Sequence, residues 1–409
     1  MLVVKKNGGE DMAWEKVKLK DVCTLIVDCP HSTAPNEGKG YPLIRTPNIG
    51  RGRLLLDGVH RVSKAVYDRR NIRAIPQEND LIFAREATAG NVAIVQKNEK
   101  VCLGQRTVLL RPDPKYVDSD YLVYCLLAPE QQYNLLGSAN GSTVAHVNLP
   151  VIRNLTISLP PLDVQKRIGQ VLKTYDDLIE NNRRQVRLLE EAAQRLYKEW
   201  FVKFHFPGWE ETKLVDGLPV GWKKSKIKDV SSIIKRGISP IYDEEGVSQV
   251  ISQKCLRNLA MDIGLARKQS KPFDKSLNIQ DGDTLICSTG IGTYGRVGNV
   301  FGTYENVTFD SHVTMVRGNE KVGKQFLFWS LKYVQPYLMS MGQGSTNQQE
   351  LYRDVIAQVE ILIPTWDVLK KFEESESIIH KELTNHMNQI QFLQEARNRF
   401  LPRLMQEGS

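Results

Sequence analysis

The six cysteines (Cys23, Cys29, Cys102, Cys125, Cys255 and Cys287) form no CxxC pair, and their scatter excludes a zinc ribbon and a disulfide framework. They read as reduced thiols, mostly in a core. No stretch approaches the roughly 18 uninterrupted apolar residues that a membrane span needs, and Lys5, Lys6, Glu10 and Asp11 interrupt the opening residues before a signal core forms. The expectation is a cytoplasmic chain with no membrane association. GxxxxGK[ST], HExxH and GxSxG are all missing, which removes the usual phosphate loop, zinc helix and hydrolase nucleophile. The histidines (His31, His60, His146, His205, His312, His380 and His386) never stand at ligand spacing from a second His or Cys, so no metal site is expected. Charge of one sign is scarce as well. The net +8 and the pI near 9.0 favour a polyanionic partner only mildly. A length of 409 residues leaves room for two or three domains, and 41% hydrophobic with 25% charged residues excludes disorder and fibrous repeats.

What is present is a repeat. Trp14-Glu-Lys-Val-Lys-Leu-Lys-Asp-Val22 recurs as Trp222-Lys-Lys-Ser-Lys-Ile-Lys-Asp-Val230, 208 residues on. Gln77, Asp80 and Ile82 are echoed by Gln280, Asp283 and Leu285, and Gly141-Ser-Thr143 by Gly344-Ser-Thr346, at an offset of 203. Leu155-Thr-Ile-Ser-Leu-Pro160 with Asp163-Val164 returns as Val359-Glu-Ile-Leu-Ile-Pro364 with Asp367-Val368, and that offset of 204 holds for over thirty residues. The chain is a tandem duplication, the first feature to establish because it sets the architecture.

Each copy carries short β-type runs, such as Asp80–Phe83 and Arg106–Leu110 or Asp283–Cys287 and His312–Val316, broken by Gly, Asn and Pro. Each also has one short helical run, Tyr121–Leu127 and Gln325–Leu331, so the fold class is α+β. After each module a proline opens a long helix. In the first, Ile168, Val171, Tyr175, Leu178, Asn182, Val186, Leu189, Ala193, Leu196 and Trp200 keep a 3-4 spacing. In the second, Phe372, Ile379, Leu383, His386, Ile390, Leu393, Phe400 and Leu404 do the same. Sustained spacing of this kind means helix pairing, and the simplest pairing is of the two helices with each other, antiparallel if the modules lie at opposite ends. Asn182 and His386 occupy equivalent seam positions, where a polar residue sets register. The organisation expected is a module at 14–160, a helix at 161–204, a Pro/Gly-marked linker at 205–221, a second module at 222–364 and a second helix at 365–405.

For catalysis the best candidate is Gly290-Ile-Gly-Thr-Tyr-Gly295, a GxGxxG pattern after an apolar run with Asp310 twenty residues on. The residues after it, Arg296-Val-Gly-Asn-Val300, read as a returning strand where a dinucleotide site needs a helix, and the first copy has Arg85-Glu-Ala-Thr-Ala-Gly90 instead. A hairpin loop is preferred to a nucleotide site. Pro112-Asp-Pro-Lys115 reads as a turn rather than part of a nuclease centre. Polar clusters at matching places look more like readers of DNA. They are Arg45, Thr46, Asn48, Arg51 and Arg53 in the first module, and Ser252, Gln253, Lys254, Arg257 and Asn258 in the second. These side-chain types pair with base edges or hold phosphates. Further loop candidates are Arg85, Thr88, Gln105, Arg106, Ser142, Thr143 and His146, and Ser288, Thr289, Tyr294, Arg296, Ser311, His312, Ser345, Thr346, Asn347 and Gln348. Framework residues repeat (Trp14/Trp222, Asp80/Asp283, Arg111/Arg317), whereas Arg85-Glu86 against Ser288-Thr289 and Gln105-Arg106 against Ser311-His312 differ in hydrogen-bonding type. One scaffold is expected to read two different sequences.

The pattern of Leu159-Pro-Pro-Leu-Asp-Val-Gln165 leading into a long helix, Gly217-Leu-Pro-Val-Gly-Trp222 and the duplicated Trp14/Trp222 opening resembles the DNA-specificity subunit of type I restriction-modification enzymes, from Trp14 to about Leu404. Pro364-Thr-Trp-Asp-Val368 departs from it, losing the second proline and the glutamine. The resemblance implies a non-catalytic reader of double-stranded DNA. Its two target recognition domains would bind the halves of a split site, and its helices would space them and dock two modification subunits, with restriction subunits in the full complex. It places S-adenosylmethionine, ATP and magnesium on those partners and none on this chain, which has no Asn-Pro-Pro-Tyr signature. The competing expectations are a nucleotide-binding enzyme built on Gly290–Gly295 and a coiled-coil scaffold that does not bind DNA.

Overall fold

The computed structural model describes residues 14–137, 146–257, 259–290, 292–341 and 350–406. They divide into two compact units, one made of the chain up to Asn181 with the segment from Ile390 onward, the other of Asn182–Gln389. In the first unit the strands lie in the order Cys23–Asp28, Thr107–Pro112, Leu81–Ala84, Val92–Ile94 and Gly52–Arg53. All pairings are antiparallel except the last. The central strands Leu81–Ala84 and Val92–Ile94 are apolar at every position because both faces are covered. Leu81, Phe83, Val108 and Leu110 pack on the helix Ser119–Leu127, while Ile82, Ala84 and Leu109 face a second cluster with Ile44, Ile49 and Val95.

The second unit repeats this frame. Its strands run Ser231–Arg236, Val313–Gly318, Thr284–Cys287, Val297–Asn299, with the helix Lys324–Tyr333 in the covering position. The registers coincide. Ile26 and Leu81 both oppose Leu110, and Ile234 and Thr284 both oppose Val316. Even the irregularity between Cys23 and Leu25 recurs between Ser231 and Ile233. A buried ion pair explains why Asp and Arg repeat in sequence. Asp80 accepts Arg111 Nε at 2.8 Å, Arg111 Nη2 at 2.7 Å and the Gln77 amide at 2.8 Å; Asp283 accepts Arg317 Nε at 2.7 Å, Nη2 at 2.6 Å and the Gln280 amide at 2.7 Å. Both carboxylates are 2% exposed, so the bidentate partner is what makes their burial tolerable.

The long helices span Leu162–Phe201 and Trp366–Leu404. Neither is a separate domain, because the apolar residues of each half close the core of one unit. Ile168 and Leu172 share a cluster with Leu401 in the first unit, where Tyr175 also meets Phe400 at 5.9 Å between ring centres and Arg397 pairs with Asp176. In the second unit the Asn182 amide oxygen lies 2.6 Å from His386 Nδ1 and Tyr197 lies 6.3 Å from Phe372, while Val186, Leu189, Leu196 and Ile379 pack on the core that holds Ala193 and Leu383. Within each unit the contacts run in opposite order along the two helices. One seam expectation is corrected: Leu178 is 44% exposed and its neighbour Ile179 is 2% exposed, because a 3-4 pattern tolerates a one-residue slip that only the facing helix resolves. Val171, Ile390 and Leu393 are half-buried.

The two copies anchor their short helices differently. Gln165, buried at the start of the first long helix, accepts the Asp118 amide at 2.9 Å and donates to the Pro160 carbonyl at 2.8 Å, and Asp118 caps the Tyr121 amide at 2.9 Å. In the second copy Leu369 takes the glutamine's place, and Glu373, at the position of Gly169, reaches across to cap the Phe326 amide at 2.7 Å. One turn on, Glu376 is buried and accepts Trp329 Nε1 at 2.9 Å. Burial pushes its carboxyl up to about 8, the Trp329 hydrogen bond opposes this, and Glu373 adds to it.

Two expectations follow. Because the folded Glu376 holds its proton more tightly than an unfolded glutamate, its contribution to stability is full at acid pH and is lost as pH rises from about 4.5 through about 8. Glu376→Gln therefore should gain on wild type by an amount on the order of 2 to 4 kcal/mol between pH 5 and pH 9, measured as thermal midpoints; parallel midpoints at all pH values would show the carboxyl to be ionised when folded. Asp80→Ala leaves the guanidinium of Arg111 uncompensated and should cost the first unit about 3 kcal/mol in urea unfolding, with Asp80→Ala/Arg111→Met recovering part of the loss.

Candidate nucleic-acid interface

The strand ends Asp28, Ala84 and Thr107 bring several loops together in the first unit. Arg85, buried, donates from Nε to the Val147 carbonyl at 3.0 Å, from Nη1 to Asp28 at 2.8 Å and from Nη2 to His146 Nε2 at 3.0 Å. That contact makes Nε2 an acceptor, so His146 donates from Nδ1, 2.6 Å from Glu86 Oε1. The second Glu86 oxygen forms an ion pair with Arg106 Nε at 2.8 Å. Arg106 lies in the left-handed backbone region at φ 65°, with its side chain 61% exposed. Gln105 donates to the His31 carbonyl at 3.0 Å, and His31 lies 3.2 Å from Asp28. The turn Thr46–Asn48 closes one side, with the Thr88 hydroxyl donating to the Thr46 carbonyl at 2.9 Å. Arg45 is half-buried above it, with its Nε shielded from solvent and unbonded.

The same backbone frame carries other side chains in the second unit. Ser288 N donates to the His312 carbonyl as Arg85 N does to Arg106, and Leu351 N donates to the Ser288 carbonyl as Val147 N does to Arg85. Arg236 opposes Thr314 as Asp28 opposes Val108. The equivalent positions are therefore Asp28 and Arg236, Arg85 and Ser288, Glu86 and Thr289, Arg106 and His312, His146 and Glu350. Their connections are redrawn. Arg236 pairs with Glu350 and donates to the Ser311 carbonyl, and Thr289 Oγ1 lies 2.8 Å from His312 Nδ1. Gln253, on the turn Gln253–Cys255 that matches Thr46–Asn48, accepts the Thr293 hydroxyl at 3.0 Å. Lys254 and Arg257 are exposed, and Tyr294 is half-buried.

Several expected contacts are corrected to framework roles. Thr46 and Asn48 are buried, and the Asn48 side chain accepts the Arg45 amide at 3.2 Å and donates to the Leu55 carbonyl at 3.3 Å. Arg51 donates to the Leu127 carbonyl at 2.9 Å at the end of the short helix, and Arg53 pairs with Asp177 on the long helix. Gly52 lies between them at φ 100°, with so little room that a Cβ would sit 2.8 Å from the Asp176 carboxylate. Arg85 is consumed by the network, and Ser288 is fully buried against the Thr314 hydroxyl at 2.6 Å. Arg296 serves the Leu256 and Gly292 carbonyls at 3.2 and 3.3 Å, and Ser252 lies half-buried with its hydroxyl accepting the Lys254 amide at 3.4 Å. Ser142, Thr143, Asn258, Ser345, Thr346, Asn347 and Gln348 lie outside the described residues. Asp28, Arg236 and Glu350 were not anticipated, although the 208 and 204 offsets of the repeat align them with partners of different charge.

The arrangement offers hydrogen-bond donors and acceptors, not a reaction centre. Burial raises the Cys29 thiol above its ordinary range and the Cys287 thiol to about 12, so neither supplies a thiolate beside the networks. The Gly290–Gly295 segment closes an antiparallel hairpin, since Thr284–Ile286 pairs with Val297–Asn299. The strand after it excludes the dinucleotide reading. Gly290, at φ 98°, occupies the turn position that Ala87 fills at φ 61° in the first copy. No group of three or more His, Cys, Asp or Glu able to hold a metal occurs among the described residues, nor does a helix long and apolar enough to cross a membrane.

One recognition scaffold used twice, with unlike polar loops at equivalent strand ends, defines a tandem sequence-reading protein. The sequence matches the type I restriction modification DNA specificity domain over residues 12–191 and again over 219–394, and the chain belongs to that family, as a DNA-specificity subunit. It is 25% identical over 413 residues to the type I restriction enzyme MjaIX specificity subunit of Methanocaldococcus jannaschii, covering 96% of this chain and 92% of that one. It is 21% identical over 375 residues to the HindI specificity subunit of Haemophilus influenzae, covering 73% of this chain and 79% of that one. The S subunit of the M. genitalium type I system has the same fold, with a TM-score of 0.57 at 14% identity, covering 100% of this chain and 99% of that one.

Proposed function

We propose that each unit reads one half of a bipartite site in double-stranded DNA, the first through Arg45, Gln105, Arg106, Glu86 and His146, the second through Gln253, Lys254, Arg257, Thr289, Tyr294 and His312. The observation that carries this reading is the shared backbone frame bearing two unlike polar sets, which is what recognition of two different half-sites requires. In this reading the exposed sides of the long helices dock two modification subunits. Methyl transfer from S-adenosylmethionine, and ATP- and magnesium-dependent translocation by restriction subunits, belong to those partner chains.

Sequencing of methylated adenines in cells carrying the chain with its modification subunits should return one bipartite motif. Lys254→Ala should weaken binding by about 1 to 3 kcal/mol if Lys254 contacts a base edge and relax the second half-site alone, and binding should fall with salt as phosphate contacts release counterions. Equal relaxation of both half-sites would overturn the assignment of one unit to each.

A further inference from the structure

The five equivalent positions differ in one respect that base recognition turns on. In the first unit a carboxylate, Glu86, stands at the open strand end, and its side chain is 19% exposed. One oxygen is hydrogen-bonded to His146 and the other forms an ion pair with Arg106. A carboxylate has about four lone-pair sites and donates nothing, so acceptor capacity remains while these two partners fix its orientation. In the second unit the matching residue is Thr289, paired with His312, and the nearby carboxylate of Glu350 is committed to Arg236. The Ala87 turn beside Glu86 holds a non-glycine residue in the left-handed region, a conformation that persists only where the surroundings impose it.

We infer that Glu86 is a specificity-determining residue that accepts a hydrogen bond from the 4-amino group of a cytosine in the half-site read by the first unit, and that the second unit has no such preference at the equivalent base pair. Cytosine fits better than adenine. Adenine presents an acceptor, N7, beside its amino donor, which repels the second oxygen of a carboxylate, whereas cytosine shows the amino group alone on its major-groove edge. Arg106 and His146 act through Glu86 as positioning residues, and Arg85 holds His146 from behind. The inference rests on the half-site reading proposed above.

The test uses the full chain co-expressed with its modification subunits, with the methylated motif read by sequencing. The wild-type motif should contain an invariant C·G pair in one half-site. Glu86→Gln, which puts an amide donor on one side of the group, should lower the preference for that pair by about 10-fold or more while leaving every other position sharp. Thr289→Glu should create a preference for C·G in the other half-site. A Glu86→Gln chain that assembles and methylates the unchanged motif overturns the inference and leaves the half-site reading standing. A wild-type chain whose methylated sites share no bipartite motif overturns the half-site reading itself. If Glu86→Gln fails to co-purify with the modification subunits, Thr289→Glu decides: an unchanged second half-site overturns the inference.

Discussion

The register of three adjacent strands in each unit governs everything placed at their ends, and a buried carboxylate–guanidinium pair helps to set that register. Asp80 and Asp283 stand just ahead of the strands Leu81–Ala84 and Thr284–Cys287, Arg111 and Arg317 lie on the neighbouring strands, and each carboxylate also closes the turn leading into its strand. Slipping one strand by a residue would separate the charges, leave both desolvated and turn its alternating side chains to the wrong cluster. With the frame held in this way, the loops at the other end of the strands are free to differ. Asp28 can stand where the second copy has Arg236, and His146 where it has Glu350, because the main-chain hydrogen bonds that the two copies share at Arg85 and Ser288 do not depend on those side chains.

The helix junctions show divergence of a second kind, under tighter constraint. Every donor at the start of a buried helix must be satisfied. The first copy does this with Asp118 and Gln165, and the second with Glu373, which fits only because Gly323 leaves room where a Cβ would lie 1.9 Å from its carboxyl carbon. Gly169 shows the complementary restriction, since a Cβ there would meet the Tyr121 amide at 2.8 Å. Loss of the glutamine in the second copy is thus compensated from another turn of the same helix, and the short helix keeps its place.

Much of the molecule was legible without coordinates. The short β-type runs Asp80–Phe83 and Asp283–Cys287 fell on the observed strands Leu81–Ala84 and Thr284–Cys287, and the offset between copies singled out Asp80, Arg111, Asn182 and His386. The candidate site was harder to read. Polar type alone does not tell an arginine that faces DNA from one that ties loops together: Arg51 and Arg53 look like readers beside Arg45, yet one serves the end of a helix and the other an aspartate on the long helix. Burial decided the same question for Thr46, Asn48 and Ser288.

The sequence by itself determined the duplication, the mixed α and β modules and the long helices, because these rest on periodicity and spacing that local geometry converts directly into structure; the family was legible as a resemblance of motifs around Pro160 and Trp222. Tertiary structure alone decided which of two adjacent residues, Leu178 or Ile179, turns inward, and which polar residues spend their hydrogen bonds inside the fold. It also decided that Glu86, Arg106 and His146, far apart in the chain, share one network whose counterpart carries different charges. Those outcomes depend on which strand end lies beside which, and strand order is set by long-range packing that no local pattern encodes.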